Sequence, residues 1–149
     1  MTMLAGNFAR QGFSLDNTIV NRAVKIFNTL EKVADFSDHP QHNLASAIVL
    51  RNKFVSFGYN RLKTDPFQAR FGKNIDAIFL HAEIHAIKNA LRRIDLEDFR
   101  RSDLYVMRVM TGEKKWGMAK PCSGCMRAIA EFGIRGVYYT DAEGQIAIL

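Results

Sequence analysis

Apolar residues recur at three- and four-residue spacing from Ile19 to Val33, through Val20, Ala23, Val24, Phe27 and Leu30. That period predicts an amphipathic helix with one buried stripe. Asp16 or Asn17 can cap its start. Residues 1–15 show no such period and are expected to form a mobile lead-in. Ser37 to Asn43 contains Pro40, His39 and His42 and reads as a solvent-exposed loop. The pattern then changes. Ala45 to Leu50 and Phe54 to Tyr59 are short β-type runs, and Arg51-Asn52-Lys53 between them predicts a tight hairpin turn. Residues 60–76, NRLKTDPFQARFGKNID, are polar and broken at Pro66 and Gly72, so a loop is expected.

A second helical stripe, Ile84, Ile87, Ala90, Leu91 and Ile94, predicts a helix from His81 to Ile94. Residues 103–110 read as a strand apolar enough to be covered on both faces. Gly112 to Gly117 reads as a loop or flap, with Trp116 expected to pack. Cys122 to Phe132 predicts a third helix, with Pro121 ahead of its first turn and Gly133 as its stop. Gly136 to Thr140 and Gln145 to Leu149 predict two further strands around a turn at Asp141 to Gly144. The order is α-β-β-α-β-α-β-β. Strand, helix, strand after a hairpin implies an α/β fold with parallel strands and right-handed crossovers. No linker or repeat divides the chain, so residues 1–149 are expected to be a single domain.

Composition narrows the setting. The chain has 149 residues, 48% of them apolar, enough for one real core. No apolar run approaches the ~20 residues of a membrane span, and the N-terminus lacks a signal-peptide core. Both cysteines lie in one C-x-x-C, which argues against a disulfide scaffold and for a reducing, cytoplasmic setting. The net charge of +6 suits an anionic ligand, a nucleotide phosphate or a nucleic acid, and equally suits ordinary surface charge.

Two short stretches carry chemistry: His81-Ala82-Glu83 and Pro121-Cys122-Ser123-Gly124-Cys125. His81, Cys122 and Cys125 make an N,S,S donor set, which suits tetrahedral zinc and leaves one position for water. Glu83 falls on the buried side of its helix, where a carboxylate is costly unless paired or working. Zinc in such a site activates water near neutral pH, and Glu83 is placed to move protons. His85 falls on the polar face and reads as a surface or interface residue. A redox cysteine pair, or a structural zinc completed by His39, His42 or His85, is the alternative.

H-x-E followed by P-C-x-x-C is the signature of zinc nucleobase deaminases. From about Leu44 to Thr140, and on HAEIHAI and AKPCSGC, the sequence resembles the cytidine and deoxycytidylate deaminase superfamily, close to the small phage and bacterial enzymes. The resemblance implies a three-layer α-β-α fold with a mixed five-stranded sheet, zinc between two helix N-termini and Glu83 as proton carrier. It implies that Asn60, in Gly58-Tyr59-Asn60, bonds sugar or base, and that the backbone of Ala82 contacts the base. It also implies a homo-oligomer. Relatives that act on tRNA carry a further C-terminal helix, for which nothing follows Leu149 here. The basic loop offers Arg61, Lys63 and Arg70 to a phosphate, so a free nucleotide, dCMP or CMP, is the expected substrate. A base within tRNA or single-stranded DNA is the second reading, and a non-catalytic zinc-stabilised binding protein the third.

Overall fold

Helix α1 spans Asn17–Ala34 and buries Val20, Ala23, Ile26, Phe27, Leu30 and Ala34, close to the expected stripe. The computed structural model describes residues 17–72, 79–113 and 115–149; the expected lead-in and the Asp16 cap lie outside them. Strands β1 (His42–Leu50) and β2 (Lys53–Tyr59) form the hairpin. β1 begins earlier than expected. His42 and Asn43 belong to the strand, because β3 (Asp103–Met110) pairs with them through Met110 and Val109.

The loop after β2 contains a short helix, α2 (Pro66–Ala69), capped by Asp65. Helix α3 (Ala82–Ala90) ends before the predicted Ile94, and Leu91 is exposed. A one-turn helix, α4 (Leu96–Phe99), follows; Asp95 and Asp98 close it as a capping box, and Phe99 is buried. The stretch expected as a flap forms β4 (Trp116–Gly117), paired with β3 at Val109 and Arg108. Trp116 packs at 5.8 Å from Phe27 and donates its indole N–H to Glu31. It is therefore a core residue against α1. Helix α5 (Ser123–Phe132) stops at Gly133, whose φ of 69° is left-handed, as predicted. Strands β5 (Gly136–Thr140) and β6 (Ile146–Ile148) complete the chain.

The sheet runs β2-β1-β3-β5-β6, with β4 attached beside β3. β3 and β5 are parallel and the other pairs antiparallel, so the sheet is mixed. Alternation along the strands builds a core on each face. Ala45, Ala47, Val49, Tyr105 and Met107 face α1. Ile48, Leu104 and Val106 face the opposite layer with Ile84, Ile87, Ala128 and Ile129 of α3 and α5.

α3 lies against the hairpin at contact distance. A Cβ on Gly58 would stand 2.2 Å from the Ala82 carbonyl oxygen and 2.3 Å from the Ala86 nitrogen. Ser46 Oγ donates to that Ala82 oxygen at 2.7 Å, and Ser56 Oγ to the Ala86 oxygen at 2.7 Å. Gly58→Ala should therefore force α3 off the sheet. Overpacking of this kind costs about 1–3 kcal/mol, and the obstructing atoms are backbone, so the upper end or more is expected. Urea unfolding measures it; a midpoint equal to wild type would contradict the close approach.

Candidate active site

His81 and Cys122 are the N-cap residues of α3 and α5, each with extended backbone. Neither side chain caps its own helix, so imidazole and thiol turn to each other. Cys125 joins them from the first turn of α5. His81 Nδ1 lies 3.4 Å from Cys125 Sγ and 3.7 Å from Cys122 Sγ. All three donor atoms are within 4.8 Å of one another. Tetrahedral zinc with ordinary Zn–N and Zn–S bonds requires N···S separations of about 3.6 Å. The donor set fits zinc in element type and spacing.

The local charges agree. Cys122 accepts the Cys125 S–H and sits beside His81, which pulls its pKa down to about 3 despite burial. Cys125 is shifted upward, because it holds the shared proton and is buried. Zinc would displace that proton, since thiols ligate as thiolates. Glu83, in the first turn of α3, is only 4% exposed. Burial pushes its carboxyl pKa up, and the Cys122 charge adds to this; His81, its own backbone N–H and Cys125 act against it.

The loop before α3 is built to hold His81. Asp65 accepts from Phe67 N at 2.8 Å and from Lys88 Nζ at 2.7 Å, which ties α2 to α3. That places Gln68, 1% exposed, so that its Oε1 accepts the His81 N–H at 3.0 Å. On α5, Gly124 permits the same closeness: a Cβ there would stand 1.9 Å from the Phe71 carbonyl oxygen. Arg127 donates to the Phe71 and Gly72 carbonyls. Asp65, Gln68 and Arg127 were not singled out from sequence. The Asp65-Pro66 cap-and-N1 pair is the signal that marks α2.

Above the donor cluster opens a cavity of about 370 Å³. His81, Ala82, Glu83 and Cys122 contribute to it, with Leu44, Leu62, Phe79 and Leu80 as apolar lining. Its remaining polar lining is His39, His42, Asn60, Arg61 and Lys120. Asn60 Oδ1 accepts from Leu44 N at 3.0 Å and Ser37 Oγ at 2.6 Å, while Nδ2 donates to the His42 carbonyl at 2.6 Å. His39 and His42, expected as loop residues, line the cavity. Burial, Arg108 and His39 lower the His42 pKa, favouring its neutral form.

Of the predicted phosphate contacts, Arg61 lines the cavity; Lys63 and Arg70 are not among the lining residues. Arg70 instead pairs with Glu131 at 2.7 Å. Lys120 was not anticipated. His85 is half-buried rather than surface-exposed: its ring packs edge-on to Tyr59 at 4.8 Å and its Nδ1 meets the Tyr59 backbone. It stands outside the donor cluster.

Two expectations follow. A Cys122→Ala, Cys125→Ala double variant should purify without zinc and unfold at lower temperature, because metal binding is coupled to folding; His85→Ala should keep its zinc. Metal analysis decides, and full zinc in the double variant would exclude these ligands. For Asp65, burial opposes the charged form, but Lys88 and the Phe67 N–H outweigh it and lower the pKa. The folded value thus lies below the unfolded one, about 3.9. Its stabilisation is present above that unfolded value and fades as pH falls through the folded value. The urea midpoints of wild type and Asp65→Asn should differ at pH 7 and converge in acid. A constant gap would show that the Asp65–Lys88 pair is not its source.

Comparison with known proteins places this geometry. Residues 20–141 match the family described as the cytidine and deoxycytidylate deaminase zinc-binding region. Among curated proteins there is no match. Two solved structures share the fold. The apo dCMP deaminase of cyanophage S-TIM5 is 20% identical, with 86% of each chain covered and a TM-score of 0.53. Cytidine deaminase from Burkholderia pseudomallei is 19% identical, covering 81% of this chain and 87% of its own, with a TM-score of 0.53. Among the described residues no helix is long and apolar enough to cross a membrane. The family match contains both the H-x-E and the P-C-x-x-C stretches, and the chain belongs to the cytidine and deoxycytidylate deaminases, with zinc as its metal and His81, Cys122 and Cys125 as the set that can hold it.

Proposed function

We propose that the protein hydrolytically deaminates the cytosine of a free nucleotide, dCMP or CMP, to uracil with release of ammonia. One observation carries this reading: a buried carboxylate, Glu83, stands beside an N,S,S donor set in a cavity that also presents Arg61 and Lys120. His81, Cys122 and Cys125 would hold zinc, which would lower the pKa of a water in the cavity. Glu83 takes a proton from that water on a carboxylate oxygen and delivers it to the ring nitrogen. The water oxygen bonds to the carbon bearing the amino group; Glu83 then takes the second proton from the added hydroxyl and gives it to the amine, the C–N bond breaks as the new carbonyl forms, and ammonia leaves. A carboxyl pKa raised by burial suits repeated transfer in both directions.

The remaining groups orient the substrate. The backbone N–H of Ala82 is in the first turn of α3, where helix donors lack intrahelical partners, and is assigned to the base. Asn60 retains one amide hydrogen beyond its bond to the His42 carbonyl, and is assigned to the sugar. Phe79, half exposed at the cavity, offers an apolar face to the ring. Arg61 and Lys120 are assigned to the phosphate, as charge-assisted donors. The solved S-TIM5 dCMP deaminase complexed with dCMP and dUMP has this fold, at 17% identity and a TM-score of 0.54. The net charge of +6 keeps a base within nucleic acid as the second reading.

Glu83→Gln should retain fold and zinc yet lose turnover by about 10²–10⁴-fold. The decisive assay sets dCMP, CMP, cytidine, a tRNA anticodon stem-loop and single-stranded DNA side by side, with Arg61→Gln and Lys120→Gln included. The mononucleotides should react, and both variants should raise KM for them while leaving cytidine turnover alone. Deamination of the stem-loop or DNA with untouched mononucleotides would overturn the reading. Equal use of cytidine and dCMP would overturn only the phosphate assignment.

A further inference from the structure

A second cavity, of about 190 Å³, lies at the other end of the sheet. Val49 of β1 lines it, whereas Leu44 lines the deaminase cavity. Five residues of extended chain separate the two along one strand, about 17 Å. Four arginines converge there from four places in the chain: Arg22 of α1, Arg51 of the hairpin turn, Arg101 after α4 and Arg135 before β5. Asp103 and Tyr105 at the start of β3 complete the lining with Asn52 and Val49.

The charges in this cavity do not balance. Arg135 is satisfied by Asp103, with bonds of 3.1 Å and 2.7 Å to its two carboxylate oxygens. Arg101 reaches Asp98 at 3.5 Å, partly exposed. Arg22 and Arg51 have no carboxylate within ion-pair distance among the described residues. Two of the four guanidiniums lining the cavity, those of Arg22 and Arg51, thus lack a carboxylate partner among the described residues. All four arginines are exposed, so water screens their mutual repulsion, and an anion brought among them would gain from each unpaired guanidinium.

The hairpin turn is an independent sign. Arg51 and Asn52 both have positive φ, 52° and 64°, between the paired Leu50 and Lys53. A two-residue turn of this kind favours Asn or Gly at its first central position. Arginine is uncommon in that conformation, and Arg51 lines the cavity from this turn. On the other wall, Tyr105 stacks on Tyr138 at 4.6 Å with the rings nearly parallel. Burial keeps the Tyr105 phenol protonated far above neutral pH, so its hydroxyl is available as a donor.

We propose that this cavity is a binding site for a compact phosphate-type dianion, either free or as the terminal phosphate of a small molecule. Its charge would match the two guanidiniums left without a carboxylate, and planar forks from several directions suit tetrahedral oxyanions. The volume is below the ~300 Å³ at which pockets enclose drug-sized ligands, which favours a phosphoryl group over a whole nucleotide inside it. The site is separate from the deaminase cavity and shares none of its lining residues.

Titration calorimetry on the full zinc-loaded chain, with inorganic phosphate, pyrophosphate and a nucleoside diphosphate, tests this. Sodium chloride at equal ionic strength is the control, and zinc content is checked after each run. One anion should bind per chain at this site. Arg51→Gly fits the left-handed turn and Arg22→Gln lies on an exposed helix face, so both variants should fold; circular dichroism and thermal melting verify that. Each should weaken binding by on the order of tenfold or more, one charge-assisted contact being lost. Arg61→Gln, in the deaminase cavity, and Arg93→Gln, outside both, should keep it. Tighter binding of the nucleoside diphosphate than of pyrophosphate would identify a phosphorylated small molecule as the ligand; equal binding would identify the free anion. Binding unchanged in Arg51→Gly and Arg22→Gln, binding lost in Arg61→Gln, or a response reproduced by chloride would each overturn the proposal. So would binding of single-stranded DNA by a chain that ignores all three small anions.

Discussion

Two helices must begin at nearly the same point, and the rest of the site depends on that closeness. His81 opens α3 and Cys122 opens α5, and their donor atoms approach to 3.7 Å. Helices normally pack with axes 8–10 Å apart, kept there by side chains. Here glycine removes the obstacle twice. Gly58 lets α3 rest on β2 backbone to backbone, and Gly124 lets the first turn of α5 touch the Phe71 carbonyl. Neither glycine is a ligand or lies in a turn requiring positive φ. Each is needed because there is no room for a Cβ.

Such convergence concentrates charge, which explains the chemistry more than any single residue does. A carboxyl group, two thiols and an imidazole occupy one largely buried spot. These groups shift one another: Cys122 is pushed toward thiolate, Cys125 holds the shared proton, and Glu83 is pushed toward its neutral form. Two helix N-termini contribute partial positive charge at the same place, which offsets part of the repulsion. A divalent cation supplies the remainder. Because His81, Cys122 and Cys125 approach with zinc-like separations, Glu83 is left over as the one acid close by that is not required for ligation. Its shift upward comes first from burial, so the apolar packing of α3 is also what tunes the Glu83 carboxyl.

Periodicity revealed most of this fold, since it reflects burial directly. The α1 stripe, the hairpin, β3 covered on both faces, and Glu83 on the buried side of α3 all follow from which positions are apolar. What escaped were features set by tertiary partners. His42 and Asn43 look polar, yet β3 recruits them into β1. The α3 period continues to Ile94, but the helix ends at Ala90 and Asp95 starts a separate capped turn. His85 is polar on the wheel, but a neighbouring strand covers it. The basic loop shows the limit most clearly. Its charges were visible, but not their directions. The Asp65 cap turns α2 so that Gln68 supports His81 and Arg70 reaches Glu131, leaving Arg61 on the cavity. Lys120 escaped because it is brought to the cavity by the chain entering α5, far along the sequence from that loop.

The division between metal and rim has a consequence for how such a site can change. The candidate metal donors and Glu83 come from the helix entrances, held by glycine contacts and by the bond from His81 N–H to Gln68. The lining groups His39, His42, Asn60 and Arg61 come instead from the link between α1 and β1, from the first residue of β1 and from the chain just after β2. Asn60 ties those two segments together through Ser37, His42 and Leu44, and the Arg61 N–H donates at 3.0 Å to the carbonyl of Leu80, the residue before His81. Substitutions there can reshape what the cavity admits without moving the donor atoms. Lys120 is the exception: it lies two residues before Cys122, on chain that must also deliver a ligand. A group in that position contacts substrate only within the limits the ligand sets. Side chains on the Asn60 side of the cavity are therefore freer to vary than Lys120: the Asn60 side meets the chain before His81 through the Arg61–Leu80 backbone bond, whereas Lys120 lies on the two residues of chain that lead into Cys122.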